Sequence, residues 1–277
     1  EKDYSKAFEY LLQATQKDNL FANVNLGFLY KNGYGVELDY NKAIEYYRKS
    51  IDAEFPYAIN HLGYLYEIGK GFKQDYSKAL EFYKKAAELN DSTAYFNIAM
   101  FLLNGQAIEQ NTSKAIEYFE KAGELGQSRA FAQLGYLYSE GEKVEKDLTK
   151  AIEYYEKGII LNDDASYFNL GRLYEGEGVK QDYSIAIEYY EKAAKLNNSA
   201  SFNQLGYIYS NGLGVKQDYS KAAAYYEKAV ELNEPASYYN LSDLYLNGDG
   251  VKQDTNKAIE YMKKAAELGK SDSYNQL

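Results

Sequence analysis

Residues 130–158 read AFAQLGYLYSEGEKVEKDLTKAIEYYEKG, and this stretch decides the fold. Its first part places Ala130, Phe131, Leu134, Gly135 and Tyr138 at i, i+1, i+4, i+5 and i+8, the apolar stripe of an amphipathic helix. Its second part opens on Asp147, placed to cap a helix start, and repeats the spacing with Ala151, Ile152, Tyr155 and Gly158. Two helices, each with one stripe to bury, predict a helix-turn-helix unit.

The unit recurs along the whole chain. Asp-Tyr-Ser-Lys-Ala or a close variant begins at Asp3, Asp39, Asp75, Asn111, Asp147, Asp182, Asp218 and Asp254, in steps of 36 residues with one step of 35. A second block ends 24 residues after each of the first seven anchors, as Leu26-Gly27, Leu62-Gly63, Ile98-Ala99, Leu134-Gly135, Leu170-Gly171, Leu205-Gly206 and Leu241-Ser242. The single deletion falls between Gly171 and Asp182, which predicts a shortened loop and two intact helices. An Ala column runs through Ala7, Ala43, Ala79, Ala115, Ala151, Ala186, Ala222 and Ala258, beside aromatics at Tyr47, Tyr83, Phe119, Tyr155, Tyr190 and Tyr226. This predicts backbones in close approach, packed small against large. Each large apolar side chain fully buried contributes roughly 1.5–3 kcal/mol, so one contact stacked repeatedly carries the fold.

The helices are joined by Asn-Gly-x-Gly-Val, as in Asn32-Gly33-Tyr34-Gly35-Val36 and Asn211-Gly212-Leu213-Gly214-Val215. A phosphate-binding glycine loop needs a preceding strand, and here the loop follows a helix. The first Gly is therefore expected to end the helix in the left-handed conformation, and the second to turn the chain toward the next cap. In one unit the loop decays to Asn104-Gly105-Gln106-Ala107, which suits a turn better than a nucleotide site.

Composition narrows the function. The formal net charge of −10 argues against binding a phosphate backbone, so no nucleic-acid partner is expected. There is no cysteine, hence no disulfide, thiolate nucleophile or sulfur-held metal. No run approaches the length of an apolar membrane span, so no direct membrane insertion is expected, and no signal segment is present from which to read a compartment. His61 is the sole histidine, so neither a Ser-His-acid set nor a two-His metal site can form. Glu45, Glu81, Glu117, Glu153 and Glu188 form a repeated column beside Lys and read as a solvated face. A protein that is not an enzyme and holds no cofactor or metal is the expectation.

The spacing aromatic-x2-Leu-Gly-x2-Tyr followed by Ala-x3-aromatic, at Phe131, Leu134, Gly135, Tyr138, Ala151 and Tyr155, resembles the tetratricopeptide pattern. The 36-residue period, with its extra residues in the Gly-x-Gly-Val loop, is similar to the Sel-one-like repeat (SLR) family, a relative of the tetratricopeptides. The resemblance covers essentially all 277 residues, although the Trp and Cys of some members are missing. It implies an all-α, right-handed α-solenoid of about seven stacked helix-turn-helix repeats whose first helices line a concave groove. It also implies a protein–protein interaction scaffold or adaptor. The other open role is a substrate-recruiting or spacer arm of a larger enzyme or secreted effector.

Candidate partner-binding positions lie two residues before and two after the recurring Leu, off the core stripe and one turn apart. The later column is Phe28, Tyr64, Met100, Tyr136, Arg172, Tyr207 and Asp243; the earlier is Val24, Asn60, Phe96, Ala132, Phe168, Asn203 and Tyr239. Of these, Phe28, Tyr64, Phe96, Met100, Tyr136, Phe168, Arg172, Tyr207 and Tyr239 are of the kinds that anchor interfaces. Aromatics that merely cover neighbouring repeats are the competing explanation. A secondary column, Asn25, His61, Asn97, Gln133, Asn169, Gln204, Asn240 and Gln276, is nearly all amide. In tetratricopeptide clamps an Asn at the matching place helps hold a peptide, but such clamps also need Lys or Arg, and Arg129 and Arg172 are the conspicuous ones here. Structural hydrogen bonding to adjacent backbone is the other role for these amides.

Residues 1–18 read as a second helix without its first, and 271–277 as the start of a first helix. With neither end capped, the chain is expected to be one repeat solenoid, 1–277, cut from a longer array, with raw ends that leave self-association open. The acidic surface favours a basic or aromatic-rich peptide as partner.

Overall fold

The computed structural model describes residues 3–15, 19–51 and 53–274, and every regular element among them is helical. In chain order the helices are α1 (Tyr4–Thr15), α2 (Leu20–Asn32), α3 (Tyr40–Arg48), α4 (Pro56–Ile68), α5 (Tyr76–Glu88), α6 (Ser92–Asn104), α7 (Thr112–Glu124) and α8 (Ser128–Glu140). They continue with α9 (Leu148–Ile160), α10 (Asp164–Arg172), α11 (Tyr183–Lys195), α12 (Ser199–Asn211), α13 (Tyr219–Glu231), α14 (Pro235–Asn247) and α15 (Thr255–Tyr274). Even-numbered helices are the first of a repeat and odd-numbered ones the second, and the two pack together as a pair. The chain is thus an all-helical tandem repeat of the α-solenoid class. It divides into two compact units, Glu1–Ala130 and Phe131–Leu277, and the division falls within α8.

The pairing follows from three buried columns. The Leu or Ile of the first helix is enclosed at Leu26, Leu62, Ile98, Leu134, Leu170, Leu205 and Leu241, and the second-helix Ala at every position from Ala43 to Ala258. The second-helix aromatics Tyr47, Tyr83, Phe119, Tyr155, Tyr190 and Tyr226 are buried as well. The Gly after each Leu is what admits them. A Cβ on Gly27, Gly63, Gly135, Gly171 or Gly206 would lie 2.5–2.8 Å from a ring carbon of the tyrosine in the same repeat. Where Ala99 replaces that Gly, the facing residue is Phe119, and where Ser242 does, the residue in register is Met262.

Caps and turns fix the ends of the helices. Second helices start on an Asp or Asn whose side chain accepts a backbone N–H, as Asp39 does from Lys42, Asp147 from Lys150 and Asp218 from Lys221. First helices end on a left-handed glycine, Gly33, Gly69, Gly105, Gly212 or Gly248. The second loop glycine has a further reason to be there. A Cβ on Gly35 would meet the Tyr4 backbone at 2.5 Å, and one on Gly250 the Tyr219 backbone at 2.3 Å, so this loop rests on the start of the preceding repeat's second helix. No phosphate cradle is involved: the loop follows a helix, as its sequence indicated.

Two details depart from the sequence pattern. The 35-residue step does not leave both helices intact: α10 stops at Arg172 and passes into a π-helical turn over Leu173–Glu177, with Gly176 at φ 123°. Asp182 N–H still reaches the Tyr174 carbonyl, as Asp147 N–H reaches that of Tyr138, so the shortening is taken up between these two points, where the chain kinks at Gly176. At the other end, α15 continues unbroken to Tyr274, so residues 271–274 extend a second helix and do not begin a first one. Earlier second helices are broken by a left-handed Asn, at Asn90, Asn162, Asn197 and Asn233, and Gly269 takes no such conformation. Residues 275–277, and Gln276 with them, lie outside the described residues.

Candidate partner-binding site

The two candidate columns on the first helices have different surroundings. In the later column Tyr64, Tyr136 and Tyr207 are 39%, 42% and 45% exposed, Asp243 is exposed, and Phe28, Met100 and Arg172 are half-buried. In the earlier column Asn60 and Asn203 meet the first helix of the following repeat. Val24, Asn60 and Ala132 are buried. Asn60 Oδ1 accepts from Asn97 Nδ2 at 3.1 Å, and Asn203 Oδ1 accepts from Ser237 Oγ and Asn240 Nδ2, both at 2.9 Å. First helices of successive repeats lie near enough to bond side chain to side chain, and that neighbour covers the position before the Leu. Phe96 and Phe168 are half-buried against the core rings of their own repeats, Phe119 at 5.4 Å and Tyr190 at 5.7 Å between centroids. Tyr239, 51% exposed, is the member of this column most open to solvent.

Four members of the amide column donate to groups within the protein. Asn97 and Asn240 donate to the preceding repeat's Asn, Gln204 donates to Glu175 at 3.4 Å, and Asn25 donates to the Phe21 carbonyl of its own helix. The expected backbone pairing therefore holds for Asn25, while the others named link repeat to repeat through side chains. Gln133 and Asn169 are half-buried. Asn169 lines a polar hollow of about 130 Å³ with Ser139, Glu140, Lys146, Tyr155 and Arg172, so Arg172 borders this hollow. Arg129 is exposed.

His61 is unlike the amides around it. Its Nε2 is enclosed with no hydrogen-bond partner, and its ring packs edge-on to Tyr57 at 4.1 Å and tilted against Tyr47 at 5.4 Å. Burial, with the nearby Lys31 charge second, lowers its pKa to about 3, so the imidazole is neutral at pH 7. Lys31 is half-buried, and burial lowers its own pKa. Its ammonium lies 5.6 Å from the Phe28 ring centroid and 5.1 Å from that of Tyr64, two of the predicted site residues.

The sequence reading missed a polar column to which Lys31 belongs: Lys31, Glu67, Leu103, Ser139, Glu175, Ser210 and Leu246. It sits beside the hydroxyls of the core tyrosines. Tyr83 donates to Glu67, Tyr190 donates to Glu175 at 2.6 Å, and the Tyr155 and Tyr226 hydroxyls lie 3.3 Å and 3.5 Å from those of Ser139 and Ser210. Where the core residue has no hydroxyl, as at Phe119 and Met262, the column holds Leu103 and Leu246. This covariation was present in the sequence, 16 residues apart within each 36-residue repeat and 15 in the shortened one.

The Sel1 repeat profile matches eight times, at residues 1–19, 20–55, 56–91, 92–127, 129–163, 164–198, 203–234 and 235–270. The chain belongs to the Sel1 repeat family. Its fold is similar to a Sel1 repeat protein from Oxalobacter formigenes at 30% identity and a TM-score of 0.77, covering 90% of this chain and all of that one. It is also similar to c5321, a protective antigen of uropathogenic Escherichia coli strains that displays an SLR fold, at 31% identity and a TM-score of 0.65. That match covers 97% of this chain but spans 58% of the antigen's length. An immunity protein of Pseudomonas aeruginosa, Pa5087, shares the fold at 24% identity and a TM-score of 0.57, over 70% of this chain and 75% of that one. Among curated proteins none matches significantly. Sel1 and tetratricopeptide-like repeat proteins are as a class protein-interaction scaffolds, generally without catalysis. No helix among the described residues is long and apolar enough to cross a membrane.

Proposed function

We propose that this Sel1 repeat protein is a non-catalytic adaptor that holds a partner protein or peptide on the first-helix face of its repeats. The observation that carries the proposal is the exposed tyrosine at one repeat position. Tyr64 in the first unit, and Tyr136 and Tyr207 in the second, occupy the same register and stand 39–45% exposed on a scaffold that buries its core rings. Tyr239 adds a further exposed ring in the second unit. A tyrosine offers a large apolar face and a hydroxyl at a cost of few rotatable bonds, which is why it anchors interfaces. The same position carries Phe28, Met100, Arg172 and Asp243 in other repeats, so partner choice is written by variation on a fixed frame.

The test compares partner capture by the native chain and by a Tyr64→Ser, Tyr136→Ser, Tyr207→Ser protein of equal helicity. A third protein carries Glu45→Ser, Glu81→Ser and Glu153→Ser on the solvated face of the second helices. Partners lost in the tyrosine variant and kept in the glutamate variant support the proposal. Partners that survive the tyrosine changes refute it and move binding to the loops or second helices.

A further inference from the structure

Lys31 is an exception within its own column. Where the core residue is a tyrosine, the column elsewhere supplies an acceptor or a hydroxyl, from Glu67, Ser139, Glu175 or Ser210. In the repeat of α2 and α3 it supplies an ammonium, which cannot accept the tyrosine's O–H, and no bond from it to the hydroxyl forms either. Tyr47, fully buried, is left with its hydroxyl unpartnered, and the neighbouring His61 Nε2 is unpartnered as well. Lys31 forms no ion pair with any described residue, and two aromatic rings flank its ammonium. A buried polar atom without a partner costs on the order of 1–3 kcal/mol, and two lie here, one in this repeat and one at the start of the next, near a partly desolvated cation.

We infer that Lys31, Tyr47 and His61 form a receptor for an acidic side chain, Glu or Asp, of a partner polypeptide. The repeats themselves indicate the ligand class: a carboxylate already occupies the equivalent slot at Glu67 and Glu175, where it accepts from the core tyrosine. A carboxylate arriving from outside would meet Lys31 first, between the Phe28 and Tyr64 rings. The four-carbon lysine stem lets the ammonium swing aside while staying paired, so that the Tyr47 hydroxyl can donate to the second oxygen and a neutral His61 can donate through Nε2–H. Charge-assisted bonds to a desolvated cation are the strong ones, so one acidic residue is enough to set register. The net charge of −10 favours basic partners over the surface as a whole; this site requires one acidic residue at a fixed place within such a partner.

The inference rests on the adaptor reading, and its test is separable from it. The probe is N-acetyl-Tyr-Glu-Tyr-amide, beside its Glu→Gln counterpart and inorganic phosphate, titrated into the full chain and followed by the ring nitrogen signals of His61. The expected result is a saturable shift with the Glu peptide and binding about tenfold weaker with the Gln peptide or with Lys31→Met. The Lys31→Leu, Tyr47→Phe protein copies the Leu103–Phe119 pair that this fold already packs, and it should keep its helicity and lose the Glu preference. Equal binding of the Glu and Gln peptides, or His61 signals that do not respond, overturns the inference. Saturation by phosphate without saturation by the Glu peptide overturns the ligand class. Peptides that bind at Tyr136 and Tyr207 without preferring Glu would leave the adaptor reading standing and remove only this site.

Discussion

The contact between Gly135 and Tyr155 gives the sharpest test of how the repeats pack. A methyl group at Gly135 would lie 2.5 Å from two Tyr155 ring carbons, in a core where that ring is 1% exposed. Relief requires the ring to move by about 1 Å against close-packed neighbours, which puts the strain near the top of the ~1–3 kcal/mol range for overpacking. Ala in place of a mid-helix Gly returns about 1 kcal/mol of helix propensity, so Gly135→Ala should destabilise by about 2 kcal/mol net. The repeat at 92–127 shows how Ala is accommodated: Phe119 stands in register with Ala99, and Leu103 stands where a tyrosine hydroxyl would otherwise need a partner. Gly135→Ala with Ser139→Leu and Tyr155→Phe copies that trio and should recover most of the loss. Urea titration measures the totals, and hydrogen exchange locates them, since each repeat of such an array depends mainly on its neighbours. A neutral Gly135→Ala would refute the steric account, and a triple variant no better than the single one would refute the idea that the three positions act as a unit.

Three other perturbations follow from the same geometry. His61 has a folded pKa of about 3 against an ordinary 6.5, so its contribution to stability is complete above pH 6.5 and is lost as pH falls toward 3. At pH 4.5 the loss is on the order of 3 kcal/mol, and the stability difference between the native protein and His61→Asn, followed from pH 7 to 4.5, should shift by that amount. Tyr83→Phe leaves the half-buried Glu67 carboxylate without its tyrosine donor and should cost about 1–2 kcal/mol in urea; adding Glu67→Leu should restore most of it. Asp218→Ala removes the acceptor of the Lys221 N–H at the start of α13 and should cost about 1 kcal/mol, seen as faster amide exchange in the first turn of that helix.

The fold was legible because its determinants repeat in one dimension. Leu134, Ala151 and Tyr155 recur at fixed spacing, and a helix pair needs little more than that to know which faces to bury. The 35-residue repeat was misread because a deletion between Gly171 and Asp182 can be absorbed by the loop or by the helix end, and the choice depends on backbone conformation at Gly176. The surroundings of the two candidate columns were not legible in the sequence. Positions two before and two after the Leu differ by about 40° around a helix, too little for periodicity to separate them. They are separated by what lies alongside: the next first helix reaches Asn60 through Asn97 and Asn203 through Asn240, while Tyr64 and Tyr207 stay open.

The polar column argues that repeat proteins should be compared with themselves. Each repeat is an independent trial of the same packing problem, so a residue that breaks the internal rule is measured against several controls within one chain. Leu103 and Leu246 obey the rule because Phe119 and Met262 bring no hydroxyl, and Glu67 and Glu175 obey it because Tyr83 and Tyr190 do. Among the described residues, Lys31 breaks it near an unpartnered hydroxyl and an unpartnered imidazole nitrogen, beside two rings of the candidate surface. Replacement by Glu would satisfy Tyr47 as Glu67 satisfies Tyr83, so Lys31→Glu should raise stability while abolishing any preference for an acidic partner residue. Thermal unfolding and the Glu-peptide titration on that single variant therefore read opposite consequences of one change. A Lys31→Glu protein that gains stability and still prefers the Glu peptide would show that the orphaned groups are a packing defect with no bearing on recognition.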